Sequence, residues 1–161
     1  MILLFFILTS VLVFNYISNN QQSEEIKITD SQHPINLELK QKAQEIFGNI
    51  LILEGSYSSY SSHDVLYSIH YKDFSIADFL IYHDEILKKN EWVFLKKMAQ
   101  SYIYCQNRRQ LEIIPPKILI KNVDNEEGDI IRQLDEEWNI NFYHSRNSHF
   151  SQCSKHDNSH E

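Results

Sequence analysis

The chain has 161 residues and a formal net charge of −7 at pH 7, so it lacks the basic footprint with which proteins neutralise a nucleic-acid backbone, and we expect no nucleic-acid partner. Its nine tyrosines, nine phenylalanines and 42% hydrophobic content are typical of a folded domain. Only three glycines occur, and GxGxxG, GxxxxGK[ST] and GxSxG are all absent, which argues against the nucleotide-binding and hydrolase classes that use those motifs.

Residues 1–18 form a hydrophobic segment without a charged side chain. As a helix they would be about 27 Å long, just enough to span the hydrocarbon core of a bilayer. No lysine or arginine precedes Lys27 and the first alanine is Ala43, so the segment lacks the basic start and the cleavage site of a removable signal peptide. An uncleaved signal anchor is therefore predicted. The alternative is a buried first helix or strand of a soluble fold.

Little positive charge follows the anchor, since Glu24 and Glu25 precede the single Lys27. The sequence therefore favours a single-pass membrane protein with its amino terminus in the cytoplasm and its domain outside, in a periplasmic or other extracytoplasmic space. The lipid bilayer is then one expected partner, through residues 1–18. Residues 19–34 are polar and predict a tether, residues 35–143 a folded domain, and residues 144–161 a polar, histidine-rich, disordered tail.

The first helix of the domain is predicted from Asn36, as the N-cap, to Gly48, past its C-terminal end. Residues 50–53 are an aliphatic run that suits a strand buried on both faces, and residues 65–71 alternate as a neighbouring strand. A second helix starts at the capping box of Ser75 and Asp78 and ends near Asn90. Its apolar face includes His83, which is expected to be a core histidine.

Strands are predicted at residues 92–98, 100–106, 111–114 and 117–123, with a hairpin turn around Asn107. The spacing of Ile130, Ile131, Leu134 and Trp138 favours a short helix, and residues 140–143 a last strand. The order of elements predicts an α+β fold: an N-terminal transmembrane helix, then a mainly antiparallel sheet of about five to six strands with two to three helices on one face.

The tail carries residue types that bind soft or borderline cations such as zinc or copper. The candidate ligands, three to five residues apart, are His144, His149, Cys153, His156 and His160. The alternative is a solvated tail without a metal or any other cofactor. Cys105 and Cys153 are the only cysteines, and an oxidising compartment would allow them to form a disulfide, although two cysteines give no framework pattern. Otherwise Cys105 is a small core residue and Cys153 a free thiol.

Residues 56–62 mix tyrosine with serine, a composition that recognition loops favour. Tyrosines on this and the next strand, together with an adjacent pair of arginines, form the predicted partner-binding set: Tyr57, Tyr60, Tyr67, Tyr71, Arg108 and Arg109. The alternative for the serine-rich stretch is an ordinary polar edge strand or loop.

Three functions follow in order of preference. The first is a membrane-anchored envelope protein that binds another protein, as an inhibitor, immunity factor or assembly accessory does, because a compact domain without catalytic motifs leaves binding as the largest class. The second is metal handling through the His/Cys tail. The third is an enzyme whose site has no recognisable motif, which would require convergent titratable side chains in a cleft.

Overall fold

The computed structural model describes residues 29–119, 134–146 and 151–153. The predicted anchor at residues 1–18 and residues 19–28 of the predicted tether lie outside these ranges. Within them, no helix has both the length and the apolar character needed to cross a membrane.

The described chain has the predicted α+β architecture, an antiparallel sheet with two helices. Helix α1 is Pro34–Phe47, and helix α2 covers residues 76–89 with a π-helical turn at Tyr82–Ile86. The strands are β1 (Ile52–Ser58), β2 (Ser62–His70), β3 (Val93–Met98), β4 (Ser101–Gln106), β5 (Arg109–Ile114) and β6 (Glu137–Ser145). Short 3₁₀ turns occupy Gly48–Ile50 and Lys117–Leu119.

The six strands lie in the order β1-β2-β6-β5-β4-β3, and every neighbouring pair is antiparallel. The predicted pairing of the first two strands is confirmed, as is the β4–β5 hairpin, whose turn residue Asn107 adopts a positive φ of 54°. Asparagine tolerates this left-handed conformation better than most residues. Strand β6 inserts between the two hairpins and joins them.

Alternation along the strands gives the sheet one helix-covered, largely apolar face and one more polar face. Both helices pack on the apolar face, where α1 contributes Leu39, Ala43, Ile46 and Phe47 to the core. The sheet side of this core consists mainly of Val65, Tyr67, Ile69, Tyr104, Leu111, Ile113, Trp138, Ile140 and Phe142. Since each strand places alternate residues here, the register also decides which polar residues lie at the ends of this face.

Helix α1 starts three residues earlier than predicted. His33 is its N-cap, with Nδ1 accepting a hydrogen bond from the Ile35 N–H, and Pro34 takes the first helical position, where its missing N–H costs nothing. Asn36, the predicted cap, is fully buried instead, and its Nδ2 donates to the carbonyls of Tyr57 (2.9 Å) and Asp64 (3.0 Å). One amide thus ties the start of α1 to both β1 and β2.

Helix α2 begins as predicted, because Ser75 and Asp78 form the reciprocal capping box. Its π-helical turn contains His83, whose Nδ1 lies 2.5 Å from the Tyr104 hydroxyl on β4. His83 is half-buried against Phe79, Phe94 and Tyr104, so it lies at the edge of the core and not inside it as its helical spacing predicts.

Three predictions are wrong where the structure describes them. Lys117–Leu119 is a 3₁₀ turn and not the start of a strand, and residues 120–123 of the predicted strand and 130–133 of the predicted helix lie outside the described ranges. Trp138 lies in β6 and not on a helix; its buried ring packs on Phe74, and its Nε1 donates to the Phe74 carbonyl at 2.6 Å. The strand predicted at residues 50–53 is not covered on both faces, since β1 is an edge strand on which Ile52 is exposed.

Residues that the prediction assigned to the tether and to the tail contact the sheet. Thr29–Ser31, assigned to the tether, run parallel to β1, and the Ser56 N–H donates to the Thr29 carbonyl. At the other end, β6 continues to Ser145, and the buried Cys153 forms a disulfide with Cys105 on β4. The tail residues 151–153 are therefore attached to the sheet's polar face.

We expect N36A to lower the free energy of unfolding by about 2–3 kcal/mol, because two strand carbonyls lose a buried donor. Urea unfolding of the purified full chain, followed by tryptophan fluorescence, measures this. The matched control is N49A, at an exposed residue whose side chain accepts a hydrogen bond from Gln44 Nε2. Equal losses in the two variants would contradict the role assigned to Asn36.

Removal of the disulfide should also destabilise the fold. The bond closes a loop of 48 residues, for which loop entropy predicts a loss of about 4 kcal/mol in C105A/C153A. Thermal melting with and without dithiothreitol checks this: the reductant should lower the melting temperature of the natural chain and leave that of the double variant unchanged. An unchanged melting temperature of the natural chain in dithiothreitol would contradict this prediction.

Candidate functional site

Polar and charged side chains gather at one end of the sheet. This is the end at which the β1–β2 turn, the β4–β5 turn and the last residues of β6 lie, because the strands alternate in direction. On the helix-covered face, the register places Ser58 opposite His63, His63 opposite His144, and His144 opposite Arg109. A polar row thus crosses four adjacent strands just beyond the apolar core.

We call this region the cationic end and define it by its basic and imidazole groups. It consists of His33, His63, His144, Arg108, Arg109 and Arg146.

His63 lies at the centre of the cationic end and is only 2% exposed. Its Nδ1 is 2.7 Å from the hydroxyl oxygen of Ser58. On one side its ring stacks on His33, with centroids 4.2 Å apart, and on the other the His144 centroid is 6.0 Å away. Buried polar groups of this kind fix the positions of the strand ends that carry them.

The amino terminus of α1 adds to the positive potential here. Its N-cap is His33, and the first turn contains no acidic side chain to offset the partial positive charge of the helix end. Because Asn36 bonds β1 and β2 from this same turn, the helix end is held beside the imidazole of His63.

The three arginines differ in their exposure and contacts. Arg109 forms an ion pair with Glu38 of α1, across the face of the sheet. Arg108, in the β4–β5 turn, and Arg146, just past β6, are both exposed. The Arg146 N–H donates to the carbonyl of Ser61 at 3.0 Å, which attaches the end of β6 to the β1–β2 turn.

The electrostatic surroundings lower the pKa of two histidines. For His63, burial is the main cause, followed by the charges of His33, His144 and Arg146. For His144, burial again lowers the pKa most and Arg109 comes next, while Glu38 acts in the opposite direction. Both imidazoles are therefore held neutral near pH 7, in a region that already carries three guanidinium groups.

The Ser58–His63 contact brings a hydroxyl and an imidazole together, as a nucleophile and its general base would be. Catalysis by that pair would create an imidazolium between His33, His144 and Arg146, which all act to lower the pKa of His63. Depression of its pKa makes His63 a weaker base. The same positive surroundings favour an anion, so the geometry supports anion recognition over proton abstraction.

The predicted partner-binding tyrosines are placed differently from one another. Tyr60, in the β1–β2 turn, is 96% exposed, and Tyr57 is about half exposed on β1. The Tyr57 ring lies over Gly55, where an added Cβ would come within 2.9 Å of the Tyr57 hydroxyl oxygen. Tyr67 is 8% exposed and belongs to the core, where burial raises its pKa to about 12. Tyr71 follows β2 at the opposite end of the sheet.

The predicted metal ligands do not come together among the described residues, where no group of three or more His, Cys, Asp or Glu side chains could hold a metal ion. Cys153 is bonded to Cys105 and offers no thiolate while that bond stands. His144 contacts His63 and not a tail residue. His149, His156 and His160 lie outside the described ranges, so their part in metal binding stays a prediction.

Sequence reasoning selected Arg108 and Arg109 but missed His33, His63, His144 and Arg146 as members of one cluster. Strand alternation extended to the strand ends would have put His63 on the core-facing side with Val65 and Tyr67. Its pairing with His144 follows only from the insertion of β6 beside β2, which no local pattern indicates.

Stability should fall in acid because His63 is buried, His144 is half-buried, and both imidazoles have lowered pKa values. Their lowered pKa values mean that the unfolded chain binds more protons, so unfolding becomes easier as pH drops through about 6.5, the unfolded value, towards the folded values. We expect H63Q/H144Q to show a flatter pH dependence in urea unfolding between pH 7.5 and 5. H70Q, at the other end of β2, should keep the natural slope, and a double variant as steep as the natural chain would contradict this explanation.

The cationic end thus combines exposed arginine side chains with the buried imidazole of His63 and the buried amide of Asn36. In comparisons with known proteins, no family model, curated protein or solved structure matches this chain.

Proposed function

We propose that this chain is a membrane-anchored envelope protein that binds another protein through the cationic end and the neighbouring β1–β2 turn. The mode of action is that of an inhibitor, an immunity factor or an assembly accessory. Residues 1–18 anchor the chain in the bilayer, and the α+β domain meets its partner outside the cytoplasm.

The observation that supports binding most strongly is that tyrosine and arginine side chains lie at the same end of the sheet. Tyr60 is almost fully exposed in the β1–β2 turn, and Arg108 is exposed in the β4–β5 turn. Only β6 separates β2 from β5, so the centres of the two turns are about three strand spacings, or about 14 Å, apart. Tyrosine and arginine are the residues that most often dominate the energy of protein interfaces.

The preorganised conformation of the β1–β2 turn also supports a binding function. The turn region is attached to α1 through Asn36 and to the end of β6 through Arg146. The hydroxyls of Ser59 and Ser62 bond each other at 2.6 Å, and the Ser59 N–H donates to the Ser62 carbonyl, which closes the turn. A surface that is already ordered loses less conformational entropy on binding.

Location outside the cytoplasm is favoured by the Cys105–Cys153 bond, because structural disulfides persist mainly in oxidising compartments. The hydrophobic residues 1–18 and the low positive charge after them favour the same orientation.

A photo-crosslinking experiment tests the binding function. With p-benzoyl-phenylalanine in place of Tyr60 in the full chain, illumination of intact cells should give a discrete crosslinked product. The same amino acid in place of Tyr71, at the opposite end of the sheet, is the matched control and should give none. Specific binding also requires that R108Q/R146Q reduce the Tyr60 product, and a product unaffected by those substitutions would count against this surface.

The location is tested separately by the redox state of the cysteines. Cells are quenched with N-ethylmaleimide, and the full chain should be recovered from the membrane fraction with its disulfide intact. Deletion of residues 2–18 should release the chain from membranes and leave both thiols reduced, since the cytoplasm is reducing. A full chain with modified cysteines would place the domain in the cytoplasm.

A further inference from the structure

We infer that the cationic end binds an acidic, carboxylate-rich segment of the partner protein, and that this binding strengthens in mild acid. The inference rests on the proposed function and adds the chemistry of the partner and a form of regulation.

The groups that define this end are basic, although the chain as a whole is acidic. The net charge is −7, yet Arg108, Arg109 and Arg146 all lie at the cationic end. Among the described residues, every charged group that shifts the pKa of His63 is basic. Glu38 is the one carboxylate among the described groups that shift the pKa of His144. A local field of this sign attracts anions and raises their rate of association.

Glu38 shows how a carboxylate binds here. It forms an ion pair with Arg109 in which the Glu38 side chain is 47% exposed and the Arg109 side chain 22%. A pair this open to solvent contributes little to stability, so a carboxylate from another chain can replace or join Glu38. Arginine suits this exchange, because its planar guanidinium binds carboxylates through two parallel hydrogen bonds.

The spacing of the cationic groups fits a peptide better than a single phosphate. His63, His144 and Arg109 lie on three adjacent strands and so extend over about 10 Å. Arg108 and Arg146 lie beyond them, in the turn after β4 and past the end of β6. Groups placed in a row contact successive carboxylates along an extended segment, whose alternate side chains are about 7 Å apart, whereas a phosphate site needs donors that converge on one point.

The histidines make the affinity depend on pH. His63 faces Ser58 on β1, His33 at the start of α1, His144 on β6 and Arg146. His144 faces His63, Arg109 on β5, Glu38 on α1, and Arg108 and Arg146. A bound carboxylate offsets the repulsion among these groups, so the complex takes up protons that the free domain does not. By linkage, affinity then rises as the pH falls.

The test uses the full chain in detergent and a short fluorescein-labelled peptide of alternating glutamate and glycine, with a glutamine–glycine peptide as its uncharged control. Fluorescence anisotropy should show binding of the glutamate peptide that weakens with added salt and is tighter at about pH 5.5 than at about pH 7.5. R108Q/R146Q should weaken it about tenfold. K72Q/K117Q removes the same charge from exposed lysines at the opposite end of the sheet and should leave it unchanged.

A histidine variant tests the pH dependence of binding. Competition by phosphate and by lipid vesicles tests the class of ligand. H63Q/H144Q should remove the gain in affinity at acid pH while keeping binding at about pH 7.5. Inorganic phosphate, and vesicles containing phosphatidylglycerol, should compete with the peptide no better than their ionic strength explains. Preferential binding of phosphate or of the vesicles would overturn the assignment of a polypeptide ligand, and an unchanged gain in H63Q/H144Q would overturn the role of the histidines.

Failure of this inference is distinguishable from failure of the proposed function. The glutamate peptide should compete with the Tyr60 photo-crosslink in detergent-solubilised membranes. A crosslink that persists while the peptide neither binds nor competes would overturn the acidic-segment inference and leave protein binding in place. Peptide binding without any Tyr60 crosslink would support the anion chemistry and remove the proposed protein interface.

Discussion

Strand β6 is the element on which the rest of the structure depends. Its hydrogen bonds to β2 on one side and β5 on the other join the β1–β2 hairpin to the β3–β5 meander. The same strand carries Trp138, Ile140 and Phe142 into the core. Continuation of the register by two residues then puts His144 between His63 and Arg109. One strand therefore holds the sheet together and also forms the middle of the cationic end. This is because a fixed register determines the face on which each side chain of the strand lies and the residues opposite it.

The cationic end places like charges together at some cost to stability. The burial of His63 and the partial burial of His144 are tolerated because both are kept neutral near pH 7, and the Ser58 hydroxyl provides His63 with a hydrogen-bond partner. Glu38 partly offsets the guanidinium of Arg109. Sites that retain such unfavourable groupings are often functional, since stability alone would favour apolar or oppositely charged residues there. The Cys105–Cys153 bond stabilises the same sheet from its polar face and thereby offsets part of this cost.

Local signals in the sequence predicted local structure well. The capping box of Ser75 and Asp78 involves residues three apart, and the Asn107 turn needs only a residue that accepts a positive φ. The prediction for Trp138 was wrong because helical spacing of apolar residues also occurs by chance in a strand between two others. Asn36 resembled an N-cap by its position before an apolar run, but its partners are strand carbonyls 21 and 28 residues away. Such a partner is invisible to any argument about neighbours in sequence.

For the candidate site, the sequence by itself determined the residue types: a tyrosine- and serine-rich turn, a pair of arginines, two cysteines and eight histidines. It also determined the α+β class, because hydrophobic periodicity depends on the solvent exposure of each short segment. Only the tertiary structure decided that Tyr67 is buried while Tyr60 is exposed, and that His33, His63 and His144 meet. The physical reason is the order of the strands. Residues 63 and 144 become neighbours when β6 pairs with β2, a choice made by the packing of the whole core and not by either segment alone.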